Sequence, residues 1–262
     1  MRQIPIKAMN LMYDDSNFKM YQDDHELTQT LRRLEDLREV IYDHEFYMAS
    51  LDRRSSLYYM YHDICREGDR YLLRKFGLRF DVTIIPSKLL GREYVKTMGH
   101  YHPVAEEDLT YPEVYEVLEG EAHYLLQREK DQRIVEVTLV KARRGSKFII
   151  PPNYGHVTIN PSNETLVTIN LVSSRFEPRY EPFRNRGGGA YFETVNKGFV
   201  KNERYRDVPP LKIMEAKEIG WLPYLRDLYT LFLKNPNVFL FLNEPKKSPV
   251  TVEEISWETD TL

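Results

Sequence analysis

The sequence predicts a mainly β protein, a sandwich or barrel of short strands with helical segments at either end. Two observations carry this reading. Between about residues 78 and 200, β-branched and aromatic runs recur at 80–85, 114–118, 122–126, 134–140, 148–150 and 166–172. Turn-forming residues punctuate them: Pro86, Gly91, Gly120, Gly145, Pro151 with Pro152, and Asn160 with Pro161. No helix-sized stretch intervenes, which excludes a doubly wound α/β fold.

The flanks have a different texture. In 1–77, the apolar positions Leu31, Leu34, Leu37 and Val40 fall at spacings of three, the stripe of an amphipathic helix. In 201–262, residues 221–234 carry Leu222, Leu225, Leu228, Tyr229 and Phe232 toward one side, and Pro236 follows the expected helix end. The chain therefore divides into a helical extension (1–77), a β-barrel (78–200) and a second helical extension (201–262). The polar tail after Pro245 is expected to be loosely held. Gly187, Gly188 and Gly189 fit no phosphate-loop spacing and are expected to form a flexible turn after the last barrel strand.

Bulk properties narrow the function. With 262 residues the chain can bury a full core, and 42% hydrophobic beside 29% charged residues is ordinary for a soluble protein. A formal net charge of -3 gives no pull toward nucleic acid or an anionic membrane. No apolar run is long enough to span a bilayer, and the start lacks a signal-peptide core. The single cysteine, Cys65, has no disulfide partner in the chain and reads as a buried thiol. A cytoplasmic enzyme is expected.

Chemistry concentrates in the middle region. His100 and His102 lie two residues apart in a strand-like segment, so both point to one face. Glu113 leads into the run that ends at Gly120, and His156 follows the turn Pro151-Pro152-Asn153-Tyr154-Gly155. Three imidazoles and one carboxylate form a mixed N/O set suited to one divalent Fe, Mn, Ni, Co or Zn. On an octahedral ion they would leave two positions for substrate oxygens. Glu106 and Glu107 lie between His102 and Glu113 and could compete for the ion. His25, His44 and His62 lie in the helical region without such company, and His123 is expected to be structural.

The order of these residues resembles the two cupin motifs: His100, His102, Glu113 and Gly120 for the first, Gly145, Pro151, His156 and Asn160 for the second. More narrowly, the segments 96–102, 112–115 and 151–156 resemble the cupin-type glucose-6-phosphate isomerases. The resemblance spans about residues 80–191 and implies a double-stranded β-helix. It also implies interconversion of glucose 6-phosphate and fructose 6-phosphate, a step of glycolysis and gluconeogenesis, usually by a homodimer. It makes His100, His102, Glu113 and His156 the metal ligands. Thr83, Thr97 and Gly99 match positions that hold the sugar phosphate, and Tyr115 and Tyr180 match hydroxyls lining the sugar. Three departures stand out. The loop 103–111 is an acidic insertion, Asn153 replaces a glycine, and the histidine often found shortly before the Tyr180 position is absent.

Aldose–ketose isomerisation moves a proton between neighbouring carbons, with the metal stabilising an enediolate and Glu113 as the candidate base. A hydride shift competes. Thr97 and His100 differ in strand parity, so a bulge at Gly99 is expected to bring both to one cavity. Thr97, the Thr83 hydroxyl and the Gly99 amide would form a neutral phosphate cradle, and Lys88, Arg92 and Lys96 are candidate charge partners. A cupin oxygenase and a non-catalytic sugar-binding cupin are the competing functions.

Overall fold

A computed structural model describes residues 1–248. Eight segments make the core, and their pairing follows one rule. In chain order they are Leu78–Ile85, residues 96–100, Glu113–Glu119, Glu121–Lys130, Arg133–Arg143, Lys147–Ile150, Tyr154–Ile159 and Leu166–Ser173. The first pairs antiparallel with the eighth, the second with the seventh, the third with the sixth and the fourth with the fifth. This is one long hairpin. Lateral pairs of Glu113–Glu119 with Leu166–Ser173, and of Glu121–Lys130 with Tyr154–Ile159, wind it into a double-stranded β-helix, the cupin fold.

The turns explain the path. The hairpin tip at Asp131 and Gln132 has φ of 50° and 63°, two successive left-handed residues whose twist matches the flanking strands. At Gly120 the chain turns with φ 75°, and a Cβ there would lie 2.7 Å from the Thr165 carbonyl oxygen, so only glycine fits. Asn153 takes φ 71°, as a glycine substitute should, and its Oδ1 accepts from the Thr110 amide at 3.0 Å.

The larger sheet runs Lys147–Ile150, Glu113–Glu119, Leu166–Ser173, Leu78–Ile85, Ser56–Tyr61, Thr30–Arg33. Its last two strands come from the first 77 residues, where helix was expected. Strand Thr30–Arg33 pairs with Ser56–Tyr61, and Leu34–Leu37 then forms one 3₁₀ turn. A spacing of three suits that turn as well as an α-helix, and the open sheet edge beside Ser56–Tyr61 recruits Leu31 into a strand. Four more short strands, Arg2–Gln3, Leu11–Tyr13, Met20–Gln22 and His25–Glu26, form a separate sheet. Helix is limited here to His44–Ala49, Arg70–Phe76 and 3₁₀ turns.

At the other end the expected helix over 221–234 shortens to Leu228–Lys234. Asp227 caps it, its Oδ1 accepting from the Thr230 amide at 2.8 Å. The preceding residues, which include Pro223, are irregular, and Leu225 is exposed. Pro236 opens a 3₁₀ helix, Pro236–Leu242. Strand Lys212–Glu215, also within the expected helical extension, adds in parallel to Arg133–Arg143. The expected loose tail lies almost wholly outside the described residues.

Residues 4–20 and 222–242 cover the outer face of the larger sheet. Phe80, Val82, Ile84, Val167, Ile169 and Leu171 pack there against Leu222, Leu228, Tyr229, Phe232, Phe239 and Phe241. That is why every residue of Leu166–Ser173 is buried. The triple glycine is likewise no mobile loop: Gly187, Gly188 and Gly189 are buried, and Tyr205 Oη donates to the Gly188 carbonyl at 2.8 Å. Among the described residues no helix is long and apolar enough to cross a membrane.

Phe232 is fully buried, edge-on to Phe76 at 6.0 Å and to Phe80 at 5.8 Å. Phe232→Ala should therefore lower the urea-unfolding free energy by about 3–5 kcal/mol.

Candidate metal centre and cavity

Three polar rows line the inside of the β-helix. On Leu78–Ile85 the inward side chains are Arg79, Asp81 and Thr83. On Leu166–Ser173 they are Thr168, Asn170 and Val172, and on Glu113–Glu119 they include Glu113 and Tyr115. Register sets Asp81 beside Asn170 and Asn170 beside Tyr115. From the opposite sheet come His156 and Thr158, and from segment 96–100 come Thr97, Gly99 and His100.

That last segment contains the bulge the parity argument requires. Lys96 pairs with Ile159 and His100 with His156, so four residue steps on one side face three on the other. Gly99 absorbs the extra residue at φ 81°, where a Cβ would lie 2.7 Å from Val157 and Phe183. Thr97 and His100 thereby face one cavity of about 90 Å³, which also takes in Thr83, Gly99, Tyr115 and Tyr180.

His100, His102, Glu113 and His156 bring one ligand atom each to within 4.8 Å of one another. His100 Nε2 and His102 Nε2 are 3.2 Å apart, and Glu113 Oε2 is 3.5 Å from His102 Nε2 and 3.4 Å from His156 Nε2. Their surroundings aim these atoms. His102 Nδ1 donates to the Tyr111 carbonyl at 2.7 Å, leaving the Nε2 lone pair toward the cluster. Asn170 Nδ2 donates to Glu113 Oε1 at 2.6 Å, so Oε2 is the free oxygen, buried and without a hydrogen-bond partner. Three imidazole nitrogens and a carboxylate oxygen gathered in one buried place, with Glu113 Oε2 lacking a hydrogen-bond partner, fit a cation.

Burial pushes Glu113 up to about 8, with the charge of Asp81 adding to it and Arg79 opposing. Burial holds His102 down to about 4 against the Tyr111 hydrogen bond. Burial, and then the neighbouring imidazoles, hold His100 well below the ordinary range, as burial and His102 do for His156. Left to itself, the site favours four neutral groups.

The structure also places what the sequence reading missed. His62 lines the cavity, in place of the helical position expected for it, with Nδ1 3.2 Å from Asp81 Oδ2. Arg79 Nε donates to the same carboxylate at 3.0 Å. Burial pushes Asp81 up, but the His62 hydrogen bond and the Arg79 charge outweigh it and hold the carboxyl below its usual value. The alternation Arg79, Asp81, Thr83 and Thr168, Asn170 within otherwise apolar strands was the available signal. Glu106 and Glu107 stay away from the cluster, both held by Lys246. Their loop folds as a hairpin, Val104–Glu106 with Leu109–Thr110, and returns Tyr111 to cap His102. Lys88, Arg92 and Lys96 do not line the cavity. His123 lies outside it too, its Nδ1 2.9 Å from Glu193 Oε1.

The winding and the histidine–glutamate cluster define a cupin able to hold a metal ion. Residues 31–210, well over half the chain, match the Glucose-6-phosphate isomerase (GPI) family, and the chain belongs to it. Glucose-6-phosphate isomerase from Thermococcus gammatolerans is 27% identical over 159 residues, covering 60% of this chain and 76% of the relative. Those from Pyrococcus horikoshii, at 26% over 171 residues, and Thermococcus litoralis, at 25% over 173, cover 65% and 66% of this chain and 78% of each relative.

With the imidazoles already neutral and Glu113 protonated up to about 8, an added divalent ion must displace the Glu113 proton. Calorimetry in buffers of different ionisation enthalpy should show about one proton released per ion near pH 6.5 and none well above pH 8. Glu113→Gln should abolish the release.

Proposed function

We propose that this chain interconverts glucose 6-phosphate and fructose 6-phosphate, with one divalent ion, Fe, Mn, Ni, Co or Zn, held by His100, His102, Glu113 and His156. The observation that carries the reading is the convergence of that cluster with Thr83, Thr97, Gly99, Tyr115 and Tyr180 on a single cavity. Family membership supports the reaction, and the buried cluster with its unpartnered Glu113 Oε2 supports the ion. When bound, a divalent ion would polarise the carbonyl and adjacent hydroxyl oxygens of the open-chain sugar.

The chain's own groups would do the rest. Glu113 is the candidate base, taking the proton from one carbon and returning it to the next. Oε1 keeps a lone pair beyond the one that Asn170 uses, so it can take a proton while Oε2 faces the ion. Tyr115 Oη is 3.4 Å from His156 Nε2 and interacts with the Glu113 carboxyl, so it can steady the base or a sugar hydroxyl. Burial, with the nearby Glu113, pushes the Tyr115 phenol well above its ordinary value, so it serves as a proton donor in a hydrogen bond. At the phosphate end, Thr97 Oγ1 accepts from the Thr158 amide at 3.0 Å, which leaves its own proton to donate to an anion. The hydroxyl-lined cavity suits a polyol phosphate better than an apolar oxygenase substrate.

Purified protein with added divalent ion should convert fructose 6-phosphate to glucose 6-phosphate, and a chelator should stop it. Absence of turnover with Fe, Mn, Ni, Co and Zn alike would sink the reading. Transfer of solvent deuterium to the sugar would support the proton route, and complete retention would favour the hydride shift. Thr97→Val should raise KM for the phosphorylated sugar roughly tenfold, while metal content stays unchanged. His156→Ala should lose the metal itself.

A further inference from the structure

The cations that the sequence offered to an anionic substrate are all engaged elsewhere. Lys88 Nζ donates to the Ser56 carbonyl at 2.6 Å, Arg92 Nε to Asp43 at 2.7 Å, and Lys96 to Glu93 and the Val40 carbonyl. Arg79 lines the cavity but is neutralised by Asp81.

Arg32 is different. It lies in strand Thr30–Arg33, directly opposite Tyr58. The side chain is half-buried, and its Nε is fully buried without a hydrogen-bond partner. Among the described residues, no carboxylate forms an ion pair with it. Its guanidinium carbon is 5.5 Å from the centroid of the Tyr180 ring; it hydrogen-bonds the neutral hydroxyls of Tyr58 and Tyr180, and its charge also acts on His100. Tyr58 and Tyr180 line the cavity, and Tyr58 Oη accepts from the Met98 amide at 3.3 Å. Met98 sits between Thr97 and Gly99, so the guanidinium lies beside the tyrosines that wall the Thr97–Gly99 end, just outside the cavity lining itself. A half-buried guanidinium with an orphaned N–H is costly unless an anion completes it, and its planar fork suits phosphate oxygens.

We propose that Arg32 is the charged anchor for the phosphate monoester of the substrate, turning the threonine and glycine cradle from a neutral site into a cationic one. The identity of the sugar rests on the isomerase reading; the anchor does not.

The test titrates inorganic phosphate into the metal-loaded wild type, Arg32→Lys and Arg32→Met by calorimetry, with metal content and melting temperature measured alongside. Arg32→Met should bind phosphate at least tenfold more weakly, since a hydrogen bond to a charged group is worth about 1.5–3 kcal/mol. Arg32→Lys, which keeps the charge without the fork, should fall between, and it carries the comparison if Arg32→Met does not fold. In turnover, KM for fructose 6-phosphate should rise at least tenfold in Arg32→Met while kcat changes little, and added guanidinium ion should restore part of the loss. Equal phosphate affinity in wild type and variants with metal retained, or no phosphate binding by the wild type, overturns the proposal. Phosphate binding that depends on Arg32 without any sugar isomerisation would uphold the anchor and refute the isomerase reading.

Discussion

The site depends on one antiparallel contact, the pairing of His100 with His156 across the second sheet. It joins two segments more than fifty residues apart and sets two ligand imidazoles with ring centroids 4.3 Å apart. The one-residue bulge at Gly99 makes this pairing compatible with an inward Thr97. A regular register would turn either Thr97 or His100 outward, because side chains alternate strictly along a strand. A left-handed glycine is what lets the segment serve two ends of one cavity.

Building that cavity puts polar groups where a β-helix would ordinarily hold its apolar core. Glu113, His102, His156, Asp81, Asn170 and Thr168 are all buried. Most are arranged in mutual support: Asn170 holds Glu113, Tyr111 holds His102, and Arg79 with His62 holds Asp81. The orphans are Glu113 Oε2, His156 Nδ1 and Thr168 Oγ1. Apolar packing is correspondingly displaced outward. The larger sheet takes much of its hydrophobic contact from its outer face, which the first segment covers with residues such as Ile4, Leu11 and Met20 and the last with Tyr229, Phe232, Phe239 and Phe241. The terminal segments thus offset the polar interior, and the first of them also contributes Tyr58 and His62 to the cavity wall.

The insertion 103–111 follows the same economy of position. Its hairpin carries the acidic residues away to Lys246 and delivers a backbone carbonyl to His102. Tyr111 also stacks on Phe176 at 4.8 Å, and Phe176 lies 4.5 Å from His102, so the ring is held by packing as well as by its hydrogen bond. The longer path between two ligands still returns Glu113 to the cluster.

The sequence by itself determined the strand-rich middle, the turns at Gly120, Gly145 and Asn153, and the four side chains His100, His102, Glu113 and His156. Those features are local: period-two alternation, residues able to take positive φ, and donor types at strand ends. Tertiary structure decided the rest. The stripe at Leu31, Leu34 and Leu37 reads as helix until the exposed edge of Ser56–Tyr61 is there to pair with, and residues 221–227 read as helix until Asp227 caps a shorter one. His62 and Arg32 carried too little local pattern to be singled out, and the polar alternation at Asp81 and Asn170 gains its meaning only from cross-strand neighbours distant in the chain. Backbone propensity is written residue by residue, but register, and the company a buried charge keeps, exist only once the strands have met.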